Sequence, residues 1–512
     1  MTDVRIITER LGGSALSRAL QAGRAPAFWT APVPDGPDAW RTRAEHRASE
    51  RAWSEAWRCL EPALDAHGAA RERLQRVIGG GGVVVTTGQQ PGLFGGPIYT
   101  LSKAVSAIAL ADALEAATGI PTAPIFWAAT DDADFAEASV TAVARKGGLD
   151  VLRATNAPPA GTPMSLAPLG DVTELLGRLA AACGSAADGR PLGMLREAYA
   201  GPTASVGEAF VRLLRALLEP LGMPVLDASH PGAAMASDPL LRRALAKSRE
   251  LSEALAARDA ALRNGGFDPQ VEEVAGLSLV FAREGTVKRR LPVGEGPQAG
   301  ARLTPNVLLR PVVEHEILPT VAYVAGPGEL AYFAQVGPVA QVLGVDSPLA
   351  VPRWSCTLIE PQTDGLMQRL HATEEDLATE GALESRLARG ALDPNAASAL
   401  ERLRATLSAL PGSMHESAEA LDLERAVQGA AGAMQHRADR LERRLVAAVK
   451  RRETALMTDV STLRAALRPR GGRQERILNP VPFLARHGLT LLDEMREAAR
   501  PHADALVSGG LR

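Results

Sequence analysis

Residues 83–103 read VVVTTGQQPGLFGGPIYTLSK, and the fold turns on how this stretch is parsed. Val83, Val84, Val85 and Thr86 are β-branched and bounded by glycine-rich sequence, which predicts a short buried strand. Leu101, Val105, Ile108 and Ala111 then recur at helical spacing. A second apolar run, Ile125-Phe126-Trp127-Ala128, follows and ends in an acidic cluster. Strand, helix and strand, each strand a continuous apolar run, predict a parallel βαβ unit covered on both faces.

The alternation recurs further along the chain, after a helical N-terminal region. Residues 1–78 read as mainly helical, with a charged, Trp-bearing run at 40–78. A helix at 210–221 precedes the short strand Pro224-Val225-Leu226, which runs into Asp227-Ala228-Ser229-His230. Residues 320–324 form another strand, leaving through Gly326-Pro327-Gly328-Glu329 into a helix. Between them, 277–282 and 287–292 flank a turn and read as an antiparallel hairpin inserted on the parallel sheet. Residues 140–205 read as a second, less regular insertion. The fold class is therefore α/β, with a core over 1–360 and insertions at about 140–205 and 265–300.

After residue 360 the pattern changes. Met434, Ala438, Leu441 and Leu445 step by four, three and four, and Val449, Leu456, Val460, Leu463 and Leu467 resume after one extra four-residue step. This predicts a long helix with a coiled-coil seam and a stutter, in a helical domain over 361–470. Packing within the chain, against 374–387 or 396–410 after a turn at Pro411-Gly412-Ser413, and packing against a second copy are both open. A homodimer through these helices is expected, and 471–512 is expected to return to the core.

Composition narrows the function classes. A length of 512 residues predicts two or three domains, and 46% apolar residues suffice for a sizeable core. The formal net charge of -3 argues against nucleic acid as a partner. Cys59, Cys183 and Cys356 are far apart, which argues against a disulfide framework or structural zinc and fits a reducing cytosol. The sequence from Met1 to Arg5 leads into no apolar signal region, and no stretch reaches the roughly 18 apolar residues of a membrane span. A cytoplasmic protein with no membrane partner is expected.

In open parallel sheets, ligands bind outside the carboxyl ends of the strands. Four strand ends carry polar or glycine-rich sequence: 87–96, 130–134, 227–230 and 326–329. The first is neither a Walker A loop nor G-x-G-x-x-G. Gly88, Gly92, Gly95 and Gly96 allow close backbone approach, and a helix opened by Pro97 would offer free N–H groups to an anion. Gln89 and Gln90 supply hydrogen bonds, and Lys103 would carry charge to a phosphate. Asp131, Asp132 and Asp134 either hold Mg²⁺ or bind an ammonium group, or simply cap and charge a helix start. Asn306, Arg310 and His315 precede the strand at 320, where Arg310 would suit a carboxylate. His230, at a strand end, is a candidate general base.

Several separated blocks resemble the BshC family, the cysteine ligases of bacillithiol biosynthesis. They are 87–103, 124–134 (PIFWAATDDAD), 306–311 (NVLLRP), 319–332 (PTVAYVAGPGELAY), 351–353 (VPR), 474–476 (QER) and Arg486-His487-Gly488. The resemblance implies a Rossmann-like core similar to class I aminoacyl-tRNA synthetases and related nucleotidyltransferases, with a coiled-coil domain that makes homodimers. It implies joining of L-cysteine to glucosaminyl-malate, with ATP and Mg²⁺ expected because a free carboxylate needs activation. On that reading Lys103, Asp132, Asp134 and His230 are the catalytic candidates. Gly88, Gln89, Gln90, Gly92, Gly95, Gly96, Tyr99, Asp131, Asn306, Arg310, Gly326, Gly328, Glu329 and Tyr332 are nucleotide- or substrate-binding candidates.

The sequence departs from the family at one telling place. Where the family reads Gly-Glu-Asp-His-Asp, this chain has Thr130-Asp131-Asp132-Ala133-Asp134, so no imidazole stands at position 133. The H-x-G-H signature of class I synthetases and any Cys/His cluster are missing too. A ligase for another acid and amine, or a non-catalytic nucleotide-binding dimer, are the alternatives.

Overall fold

A computed structural model describes residues 3–50, 56–201 and 204–510; residues 51–55 of the charged N-terminal run lie outside them. The chain forms two compact units. The first comprises 1–143, 151–358 and 475–512, and the second 144–150 and 359–474.

The strands that build the first unit's site are, in chain order, β1 (Val83–Gln89), β2 (Thr122–Ala128), β3 (Val225–Asp227), β4 (Leu277–Glu284), β5 (Val287–Pro292), β6 (Arg302–Pro305), β7 (Thr320–Ala325) and β8 (Ala350–Pro352). Five of them form one parallel sheet in the order β8-β7-β1-β2-β3. β1 and β2 pair in unbroken register from Val83↔Thr122 to Gln89↔Ala128. From β1 the chain builds outward on one side, then returns to lay β7 and β8 on the other. The segments leaving β1 and β7 therefore diverge, which opens a crevice at a topological switch point.

Helices cover both faces. α1 (Tyr99–Thr118) is apolar nearly all round and almost wholly buried, as a helix under a sheet must be. The helix Thr490–Ser508 packs against it. On the other face lie α2 (Pro231–Ala246), α3 (Arg310–Ile317) and α4 (Pro327–Leu343), sharing one apolar cluster with Val84, Ile125, Trp127, Leu226 and Tyr323 of the strands. With both faces covered, every residue of β2 is buried. β4, β5 and β6 form a separate antiparallel sheet in the order β5-β4-β6, with Glu284 paired to Val287 across a two-residue turn.

The glycine-rich segment after β1 is a packed turn. Phe94, Gly95 and Gly96 have φ of 55°, 88° and 75°, and a Cβ on Gly92 would lie 2.7 Å from the Cα of Gly96. Phe94 is fully buried, edge-on to Tyr199 at 5.0 Å between ring centroids. Asn479, almost four hundred residues later in sequence, donates through Nδ2 to the Phe94 and Gly96 carbonyls at 2.9 and 3.2 Å.

In the second unit the helix Pro394–Ser413 packs along Glu424–Arg452. The turn expected at Pro411-Gly412-Ser413 does not occur there, because these residues complete the first helix. The chain reverses later, at Asp422, whose φ is 54°. The intramolecular seam of the long helix runs through Ala431, Ala438, Glu442 and Val446. Met434 and Leu441, expected in that seam, are 39% and 47% exposed, since neighbouring helices occupy the adjacent stripe. Glu442 is held by Arg389 at 3.0 Å and by Arg404. The helix breaks at Glu453 before Thr454–Leu467. Among the described residues no helix is long and apolar enough to cross a membrane.

Replacing Asn479 by Ala would leave two buried carbonyls without a donor, at an expected cost of about 1–3 kcal/mol. Thermal unfolding should show a lower midpoint; an unchanged midpoint would mean that the turn does not depend on this amide.

Candidate active site

A cavity of about 600 Å³ opens at the switch point. Its floor comes from the strand ends: Gly88, Gln89 and Gln90 after β1, Asp131 to Ala133 after β2, Gly326 to Glu329 after β7 and Arg353 after β8. α1 contributes Tyr99 and Lys103, α3 Arg310, and α4 Tyr332.

Lys103 lies at the centre of this floor, 4% exposed. Its Nζ donates to the Gly88 carbonyl at 2.7 Å and to Gln89 Oε1 at 3.0 Å, and pairs with Glu329 Oε2 at 2.6 Å. An ammonium group has three donors, and all three are engaged by the protein. The expectation that Lys103 carries charge to a phosphate is thereby corrected: it is a positioning residue that joins the ends of β1 and β7. Burial pulls the ammonium below the usual lysine range, and Glu329 opposes that shift.

Glu329 is engaged from both oxygens as well. Its carboxylate accepts from the Gly326 N–H at 2.6 Å and from the Tyr323 hydroxyl. Burial pushes its pKa up, but Lys103 and these hydrogen bonds outweigh burial and leave the group below the ordinary range. Gln89, its Oε1 taken by Lys103, donates through Nε2 to Tyr99 Oη at 3.0 Å.

Two further cations on the wall have committed partners. Arg310 donates to Glu314 at 2.7 Å and to Tyr332 Oη at 3.2 Å, and lies over the Tyr323 ring at 4.9 Å. It thus carries its own buried carboxylate while still lining the cavity. Arg353 makes a bidentate pair with Glu475 at 2.8 and 2.6 Å, and both are 3% exposed or less.

The remaining wall is the antiparallel sheet, through Phe281, Lys288, Arg290 and Pro305, with Asn306 and Val307 following it. Lys288 Nζ donates to the Asp131 carbonyl at 2.6 Å and sits 4.9 Å from the Phe281 ring centre. Asn306 Oδ1 accepts from Leu308 and Leu309 N–H at 3.1 and 2.9 Å, which leaves its Nδ2 as a donor. Gln90 lines the cavity beside Gln89.

Several sequence-predicted residues lie elsewhere. Gly92, Gly95 and Gly96 belong to the packed turn and do not line the cavity. The start of α1 offers no anion site, because Ile98 N–H donates to Leu478 O at 2.9 Å and Thr100 N–H to Pro97 O at 2.9 Å. Asp134 caps the short helix Phe135–Ala138, accepting from Glu137 N–H at 3.0 Å. His230 is the N-cap of α2, with Nδ1 accepting from Gly232 N–H at 3.1 Å, and is absent from the cavity wall. Asp131 and Asp132 do face the cavity, and burial pushes the Asp132 carboxyl up. Among the described residues no group of three acidic, His or Cys side chains converges as a metal cage, so the three-aspartate Mg²⁺ site is not assembled.

Comparison with known proteins gives this architecture a family. Residues 36–292 and 293–354 match the N-terminal Rossmann-like domain of bacillithiol biosynthesis BshC, and 356–505 match its C-terminal coiled-coil domain. The chain belongs to the BshC family. It is 32% identical over 461 residues to "Putative cysteine ligase BshC" of Solibacter usitatus, covering 84% of this chain and 85% of that protein. It is 33% identical over 462 residues to the protein of the same name in Koribacter versatilis, covering 84% and 83%.

Sequence reasoning passed over Lys288, Arg290, Arg353 and Arg476 as site residues, although all four line the cavity. Arg353 and Arg476 sat inside blocks that resemble the BshC family. Lys288 and Arg290 sat on the hairpin read only as an insertion; their alternation about Arg289 was the available signal.

The charge pair generates a pH prediction. Folded Glu329 holds its proton less tightly than the unfolded chain, whose glutamate titrates near about 4.3. Its stabilisation is therefore present above that value and lost as pH falls through the lower folded one. Unfolding midpoints measured across that acid window should fall less steeply for Glu329→Gln than for the native chain. At neutral pH the substitution should cost about 3–5 kcal/mol, because Lys103 stays buried without its partner. Equal acid slopes would refute the assignment.

Proposed function

We propose that this chain is a ligase of low-molecular-weight thiol biosynthesis, joining the carboxyl of L-cysteine to the amine of glucosaminyl-malate with ATP to form bacillithiol. The observation that carries the reading is the cavity's charge at a Rossmann-type switch point. Six basic side chains line it; Lys103, Arg310 and Arg353 are paired with Glu329, Glu314 and Glu475, so the positive charge offered to a ligand comes from Lys288, Arg290 and Arg476. Both acid substrates and the nucleotide carry negative charge, and the volume of about 600 Å³ suits small-molecule ligands. The relatives named as cysteine ligases support the same reading.

An amine does not displace oxide from a free carboxylate, so ATP would supply a leaving group on the cysteine carboxyl. The chain's own residues bind and orient. Tyr99 and Gln90 face the reactants from one side, and the Asn306 amide and the first turn of α4 at Gly328 offer donors from the other. Magnesium arriving with nucleotide phosphates would be met by Asp131 and Asp132, an ordinary share of protein ligands for that ion, and would neutralise phosphate charge. The three free cysteines fit work in a reducing cytoplasm.

Incubation with ATP, Mg²⁺, cysteine and glucosaminyl-malate should yield bacillithiol by mass spectrometry, together with AMP or ADP. Nucleotide turnover only with another acid and amine would transfer the reading to a different ligase. ATP binding without turnover under any acceptor would leave a non-catalytic nucleotide-binding protein.

The chain is also proposed to work as a homodimer through the second unit's helices. Met434 and Leu441, seven residues apart and both exposed, occupy one heptad position of Glu424–Arg452. Light scattering should report twice the chain mass, and Leu441→Glu should shift it toward one. A monomer for the native chain would end this proposal.

A further inference from the structure

The cavity's cations are not equivalent. Lys103, Arg310 and Arg353 each have a carboxylate of their own, at 2.6, 2.7 and 2.6 Å. Lys288 and Arg290 contact neutral oxygens instead, the carbonyls of Asp131 and Ser278. Among the described residues neither has a carboxylate within ion-pair distance; Asp132 and Glu273 act on them from farther away.

The residue between them shows that this is a property of one face. Side chains alternate across a strand, so Arg289 turns away from the cavity. There it pairs with Glu284 at 3.3 Å and Glu295 at 3.6 Å, all three being exposed. The cation facing solvent is compensated, whereas the two half-buried ones facing the cavity are not. Leaving two partly desolvated cations unmatched is unfavourable unless an anion joins them.

Phe281 adds an apolar surface to the same face. Arg290 is its cross-strand partner, and Lys288 Nζ lies 4.9 Å from its ring centre. Two same-face residues on one strand have Cα atoms about 6.7 Å apart. Two cations presented on one face beside an aromatic ring suit two carboxylates on a short carbon chain better than a single monoanion.

We propose that Lys288 and Arg290 form the subsite for the dicarboxylate end of the acceptor, whose carbon chain lies against Phe281. This rests on the reading of the chain as a ligase for a malate-bearing amine, and it states where that substrate binds and why the antiparallel sheet is there. Nucleotide phosphates share the anionic chemistry, so the test separates the two.

Binding is measured on the full chain with glucosaminyl-malate, its dimethyl ester, inorganic phosphate and ATP as separate probes. Glucosaminyl-malate should bind the native chain and Arg289→Gln alike, and the ester should not bind. Lys288→Met and Arg290→Gln should each weaken acceptor binding at least about tenfold, roughly one lost charge-assisted contact, with ATP affinity unchanged. Lys288→Arg should retain most of the affinity, and thermal midpoints close to native exclude unfolding as the cause. In the ligation assay the two variants should raise the acceptor KM with little change in kcat. Native-like acceptor binding by both variants, loss of ATP or phosphate binding in place of acceptor binding, or no acceptor binding by the native chain overturns the subsite. Loss of acceptor binding in the variants with no ligation by any protein keeps the subsite and removes the ligase reading.

Discussion

An ammonium group sealed beneath the carboxyl edge of a sheet has to find three acceptors close by, and this constraint organises the first unit. Lys103 finds them on two strands that diverge: Gly88 and Gln89 end β1, while Glu329 opens the helix that leaves β7. The crevice between these strands is therefore spanned at its base by a charge pair instead of being filled with apolar side chains. The apolar clusters on either side position the strands, and the pair fixes how far apart their ends stand. Thr87 reinforces the link, donating through its hydroxyl to the Val324 carbonyl at 2.8 Å.

Such a frame has an energetic consequence. Buried ion pairs seldom add much net stability, because desolvation offsets the attraction, but losing one partner is severe. The pairs of Lys103, Arg310 and Arg353 therefore act less as a source of stability than as a penalty on every arrangement but one. Their geometry holds Tyr323, Tyr332 and Gln89 through hydrogen bonds or ring contact, so the floor is set before any ligand arrives. Lys288 and Arg290 on the antiparallel sheet complement that floor, since they contact carbonyl oxygens and leave their charge toward the cavity.

The parts legible in sequence were those decided locally. β1, α1 and β2 were readable because a doubly covered strand is a continuous apolar run and a helix beneath it repeats at its own period. The glycine-rich turn was found but its role misjudged, because glycine reports backbone freedom and not what fills the space. Asn479 fills it from a distant segment, and Leu478 takes the N–H that would have met an anion. His230 and Asp134 show the same limit: a polar residue before a helix looks alike whether it serves a substrate or a cap. On the long helix, apolar residues at heptad spacing were visible, but which stripe turned inward depended on where the neighbouring helices ran.

The separated blocks that resemble the BshC family acquire a physical meaning once they are placed in space. The block holding Lys103 meets the block holding Glu329, the Val-Pro-Arg block meets the Gln-Glu-Arg block through Arg353 and Glu475, and Arg310 reaches Tyr332. Separate segments of the chain are thus tied because each supplies one half of a buried contact, and a change in one half strands the other. Lys288 and Arg290 stand outside these blocks, and Ala133 is where this chain parts from the family pattern inside one. All three border the cavity without belonging to its ion-paired frame.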